Sequence, residues 1–103
     1  MALIPFDDRD GSIWMDGEIV PWRDAKAHTL SHGLHYASLV FEGERSYGGK
    51  IFKGREHTER LRMSANILDF DLPISNDQLD EAKQLVIAAN GIGDGYVRAY
   101  CWR

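Results

Sequence analysis

The sequence predicts an α+β fold: a mostly antiparallel sheet with two helices. Three observations carry that expectation. Two short apolar runs flank Asp16-Gly17, a pair that signals a tight hairpin because both residues tolerate positive φ. Two later stretches, near 55–69 and 76–89, carry apolar residues at helical spacing. Strand-like runs sit before and after this helical pair rather than alternating with single helices, which disfavours a parallel α/β sheet. At 103 residues the chain suits one small domain, spanning 1–103.

The elements follow in order. Strands are expected near 12–15 and 18–21, with Pro21 closing the second. The segment "RDAKAHTLSHGLHYA" lacks clean periodicity and reads as a loop with a short helical turn. Residues 38–47 read as a strand, Gly48-Gly49 as a turn and 50–53 as a short strand. In the first helix Leu61, Ala65 and Leu68 recur on one face, with Ile67 beside them. In the second, Ser75 and Gln78 fit a capping box. Leu79, Ala82, Val86 and Ala89 form its expected buried stripe, and Asn90-Gly91 supplies the stop. Residues 95–102 read as a final strand. The chain ends directly after that strand, so it is expected to be the N-terminal part of a longer protein.

Composition narrows the function classes. A net charge of −4 and the lack of a basic stripe argue against nucleic acid as a partner. No apolar run approaches the roughly 20 residues that span a bilayer. The opening "MALIPFDDRDG" carries acids where a signal peptide needs positive charge. A single cysteine, Cys101, forms no internal disulfide, which points to a cytoplasmic compartment. It falls on an apolar strand face and is expected to be packed rather than reactive. His32, His35 and His57 lack the spacing of a metal set, so no metal site is expected. They are expected to hydrogen-bond within the loop and at the helix start.

The two long strands are the unusual part. Alternation places Phe41, Gly43, Arg45 and Tyr47 on one face of the first, with Val40, Glu42, Glu44 and Ser46 opposite. Gly43 marks either a bulge at a sheet edge, with the charges in solvent, or a space where a planar group can approach. In the last strand Tyr96, Arg98, Tyr100 and Trp102 share one face, while Val97, Ala99 and Cys101 look like the core side. Arginine among aromatics suits either carboxylate recognition or simple stacking on the rings.

Three segments carry a family resemblance: "IWMDGEIVPWRDAKAHTLSHGLHYASLVFEGERSY", "FKGREHTERLRMSA" and "YVRAY". Together they resemble the class IV pyridoxal-phosphate aminotransferases, and most of all the branched-chain amino-acid aminotransferases. The resemblance implies that this chain is the small N-terminal domain of a fold-type IV subunit. The large domain, which carries the cofactor-binding lysine, would be absent, and the chain alone would be inactive. None of Lys26, Lys50, Lys53 and Lys83 lies in a segment resembling the region of that lysine.

Residue by residue, the resemblance makes Arg60, in "HTERL", the arginine that binds the cofactor phosphate. Phe41 and Gly43, in "VFEG", become pocket wall, with Arg45 near the pocket. Tyr96 and Arg98, in "YVR", lie by the substrate's side-chain and carboxylate end. Tyr36, in "GLHYA", would reach the neighbouring subunit's pocket, which implies a homodimer. The implied cofactor is pyridoxal 5'-phosphate. The implied substrates are Leu, Ile or Val and 2-oxoglutarate, and no catalytic acid–base group falls within this chain. The arginine–aromatic strands and Arg60 would then face one shared cleft. Two alternatives are another class IV enzyme, a D-amino-acid aminotransferase or aminodeoxychorismate lyase, and a standalone non-enzymatic module.

Overall fold

The computed structural model describes residues 3–103. Its architecture is α+β. Strands β1 (Ser12–Met15) and β2 (Glu18–Pro21) form an antiparallel hairpin, and a 3-10 turn follows at Trp22–Asp24. The short helix α1 (His32–Tyr36) precedes β3 (Leu39–Tyr47) and β4 (Lys50–Ile51). Helices α2 (Gly54–Ile67) and α3 (Asn76–Ala89) lead to β5 (Gly95–Trp102). The second sheet has the order β4-β3-β5, antiparallel throughout.

Local chemistry fixes the turns. Asp16 and Gly17 both take positive φ, 51° and 98°, as a primed hairpin turn requires. The β3–β4 turn does the same through Gly48 and Gly49. At the start of α3 the Ser75 side chain accepts from the Gln78 amide and the Gln78 side chain accepts from the Ser75 amide, completing the capping box. At its end Asn90 joins two units. Its side chain accepts from the Ser12 amide at 2.9 Å and donates to the Ser12 and Val86 carbonyls, pinning the hairpin to α3.

The core is small. Leu61 and Ala65 of α2 pack with Leu72 and Leu79, flanked by Val40, Phe70, Ile74, Ala99 and Cys101. Val97 is buried, so the apolar face of β5 meets the helices as its alternation predicts. Burial pushes the Cys101 thiol up to about 11, consistent with a packed group.

Three expectations need correction. Strand β4 stops at Ile51, because only Ser46 and Tyr47 of β3 pair with it. Ile67 and Leu68 are exposed, since α2 ends at Ile67 and the chain turns back through Asp69 at positive φ. On α3 the buried stripe is Leu79, Ala82, Lys83 and Ile87, while Ala89 lies in solvent. A lysine on that stripe survives burial only because it is fully hydrogen-bonded.

Candidate functional site

The β3–β5 register runs unbroken from Leu39↔Trp102 to Ser46↔Gly95, so Gly43 is not a bulge. Phe41 lies opposite Tyr100, Gly43 opposite Arg98, and Arg45 opposite Tyr96. These side chains form one exposed face, brought together as the alternation predicts. Gly43 sets the arrangement on it. With no side chain opposite, Arg98 reaches diagonally and lays its guanidinium 3.8 Å above the centre of the Phe41 ring. Tyr96 leans over the glycine from the other side. A Cβ at Gly43 would stand 2.9 Å from the Tyr96 hydroxyl and 3.0 Å from its ring carbon, so the space there holds this protein's own tyrosine. Tyr100 stacks on Trp102, ring centres 5.6 Å apart.

The face is an open wall rather than a cleft. Two concavities of the chain lie elsewhere. One is lined by Pro5, Phe6, Trp22 and Arg23, the other by Arg55, Arg62, Ser75 and Asp77. The expected shared cleft is not formed by the described residues: α1 meets this side of the sheet only near Trp102, where Gly33 lies close to its side chain, and Phe41, Tyr96 and Tyr100 stay exposed.

The opposite face is charged and buried, contrary to the reading that its carboxylates sit in solvent. Glu42 is 5% exposed and accepts three hydrogen bonds. Arg60 donates two, from Nε at 2.8 Å and Nη2 at 2.7 Å, and His57 Nδ1 lies 2.6 Å from Oε1. The Arg60 guanidinium is the largest influence holding the Glu42 carboxyl below its usual range, so the group is ionised. An ionised carboxylate only accepts, so His57 Nδ1 carries the proton between them. Arg60 therefore lies on the helix side of β3, across the strand from Phe41 and Arg98. Its side chain is still 64% exposed.

Deeper in the same layer, Lys83 Nζ donates to Glu44 Oε1 at 2.8 Å, Thr58 Oγ1 at 2.7 Å and the Gly54 carbonyl at 3.1 Å. Thr58 in turn donates to Asp80. Desolvation pushes the Glu44 carboxyl up from its ordinary range, with Lys83 opposing. Glu44 Oε2 and Ser46 Oγ are buried without a hydrogen-bond partner among the described residues. Lys83 has all three N–H groups engaged, which leaves it no role as a free amine.

Tyr36 belongs to neither strand. It is exposed at the end of α1, with its ring 4.5 Å from that of His32. Helix α1 is tied to the end of β5: the Gly33 amide donates to the Arg103 carbonyl, and the Arg103 amide to the Ser38 carbonyl. His32 and His35 have the loop partners expected of them, whereas His57 reaches across to β3 instead of bonding at the start of its helix. His32 Nδ1 lies 2.6 Å from Ser38 Oγ, His35 Nε2 donates to the Thr29 carbonyl, and His57 meets Glu42.

Residues 39–103 match the family model described as amino-transferase class IV, and the chain belongs to that family. It is 45% identical over 102 residues to a probable branched-chain-amino-acid aminotransferase of Rickettsia felis, covering 99% of this chain and 35% of that protein. It is 46% identical over 95 residues to the branched-chain-amino-acid aminotransferase of Pseudomonas aeruginosa, covering 88% and 31%. The crystal structure of the Escherichia coli branched-chain amino acid aminotransferase superposes with a TM-score of 0.86 at 42% identity, over 91% of this chain and 32% of that one. The branched-chain amino acid aminotransferase of Thermobaculum terrenum, in its PLP-form, gives 0.79 at 25%, over 90% and 33%. The chain thus spans about a third of the length of the relatives it matches.

Proposed function

We propose that these residues form the smaller, N-terminal domain of a pyridoxal-phosphate-dependent branched-chain aminotransferase, which moves the amino group of Leu, Ile or Val to 2-oxoglutarate. The observation that carries the reading is the β3–β5 wall, Phe41, Gly43, Arg45, Tyr96 and Arg98, in a chain 91% of which superposes on such enzymes. A larger domain would complete the subunit and hold the cofactor lysine, and the 103 residues alone would be inactive.

The residues present fit the phosphate end of the cofactor. Glu42 occupies the Nε and Nη2 edge of Arg60, and the Nη1 and outer Nη2 hydrogens point elsewhere on an exposed side chain. That end-on pair is a fork suited to a phosphate. When bound, pyridoxal phosphate supplies the electron withdrawal at the substrate's α-carbon. The chain's own contribution is binding and orientation. Phe41 offers an apolar surface to a branched side chain. Tyr96, half-exposed, swings off Gly43 to admit it. Arg98 leaves the Phe41 ring to meet a carboxylate, which lets one pocket take both leucine and glutamate.

Arg60 and the wall lie on opposite sides of β3, so a ligand touching both must pass its edge. Residues 39–44 of β3 have no strand partner on the side away from β5, among the described residues. That unpaired edge offers a route between the two faces, and the cofactor would lie along it. Tyr36 would reach the second subunit's pocket in a cytoplasmic homodimer.

Transamination by the intact protein tests the reading. Glutamate should form from 2-oxoglutarate with L-leucine, L-isoleucine or L-valine as donor. D-alanine outcompeting L-leucine would favour a D-amino-acid aminotransferase instead.

A further inference from the structure

Resting on the cofactor reading above, we propose that Glu42, steadied by His57, is the positioning residue that aims Arg60 at the cofactor phosphate. Arg60 springs from α2 with a long, largely exposed side chain, and such a side chain on its own samples many rotamers. Glu42 removes that freedom. Its carboxylate is itself buried, 5% exposed, and fixed by the β3–β5 ladder, so it is a rigid anchor. It grips Arg60 through two parallel bonds that set both the place and the plane of the guanidinium. His57, one helical turn before Arg60 on α2, spans back to the same carboxylate and stops it from rotating.

The grip also selects which atoms remain. With Nε and one Nη2 hydrogen committed to Glu42, the phosphate meets Arg60 only end-on. The arrangement is a carboxylate–guanidinium–phosphate relay in which the carboxylate touches no ligand.

Replacement by glutamine separates positioning from charge. In Glu42→Gln the amide offers one acceptor oxygen where three donors converge, and its NH2 group confronts a donor from Arg60 or His57. Arg60 is then displaced although the negative charge, which repels phosphate, has gone. Displacement predicts weaker binding and lost repulsion predicts tighter binding, so the direction of the change decides between them.

The experiment is equilibrium binding of pyridoxal phosphate to the intact apo protein, with the bound phosphate followed by 31P NMR. Glu42→Gln should weaken binding about tenfold, the lower end of what loss of an orienting partner costs at metal sites, and shift the phosphorus resonance. In an Arg60→Lys background the same change should have little further effect. Unchanged or tighter binding, or an equal loss with and without Arg60, overturns the proposal. If Glu42→Gln fails to fold, His57→Leu, which removes the Nδ1–H donor, carries the test: weaker binding with a shifted phosphorus resonance is expected, and unchanged affinity overturns it. If the unaltered intact protein binds no pyridoxal phosphate, the cofactor reading falls and this inference with it. If it binds and only the variants behave otherwise, the cofactor reading stands and the positioning role is overturned.

Discussion

Removing either member of the Glu44–Lys83 pair should destabilise the domain far more than removing both. Their side chains are 0% and 3% exposed, so water cannot replace a lost partner. Lys83→Met leaves a buried carboxylate with no hydrogen bond at either oxygen, since Oε2 already lacks one. Glu44→Leu leaves a buried ammonium facing only Thr58 and the Gly54 carbonyl. Each change should cost about 3–5 kcal/mol, the usual result of stranding one charge of a buried pair. That is a large part of the ~5–15 kcal/mol that holds a domain together. The double change Glu44→Leu/Lys83→Met removes both charges and the orphaned oxygen. Thr58 keeps its bond to Asp80. The double variant should lie within about 1 kcal/mol of the unaltered protein or exceed its stability. Urea unfolding followed by tryptophan fluorescence measures all four proteins. A single variant costing under about 1 kcal/mol, or a double variant as unstable as the sum of the singles, would rule out the coupling of the two charges.

Four further outcomes follow. The Glu42 carboxyl is held low, so its stabilising effect is present above its unfolded value of about 4.3 and is lost as pH falls through the lower folded value. Urea midpoints should therefore drop on acidification below about pH 4 more steeply in the unaltered protein than in Glu42→Gln. The Glu44 carboxyl is held high, so its effect has the opposite sign and weakens the fold as pH rises through the raised value. A methyl at Gly43 enters the space of the Tyr96 ring, whose exposed end can move aside. Gly43→Ala should change unfolding free energy by no more than about 0.5 kcal/mol, yet raise the intact protein's KM for leucine about tenfold by overpacking the wall. The exposed Phe41, Tyr96 and Tyr100 should drive concentration-dependent association of the 103-residue chain in sedimentation. A monomer at all concentrations would contradict that.

Sequence and structure agree where the physics is local. Asp16-Gly17, Gly48-Gly49 and the Ser75–Gln78 box are decided by residues within four positions, and each forms as its chemistry requires. The two faces of β3 and β5 were also legible, because alternation needs no knowledge of partners. What covers each face was not. Glu42 and Glu44 look like solvent charges until His57, Arg60 and Lys83 arrive from 15 to 39 residues away. Two signals pointed to them: both glutamates share a face with Val40, and Lys83 lies four residues past Leu79 on the buried stripe of α3. Arg60 has a role in the sequence only by resemblance. Its bond to Glu42 depends on how α2 crosses β3, which no local pattern encodes.

The most direct measurement is a crystal structure of the intact protein with pyridoxal phosphate and a branched substrate analogue. The phosphate should lie within hydrogen-bond distance of the Nη1 and Nη2 end of Arg60, with Glu42 still bound to its other edge. The cofactor should run along the unpaired edge of β3, residues 39–44, and the analogue should rest on Phe41 with Tyr96 swung off Gly43. A phosphate held elsewhere with Arg60 out of reach, or an analogue that leaves the β3–β5 wall bare, would contradict the account.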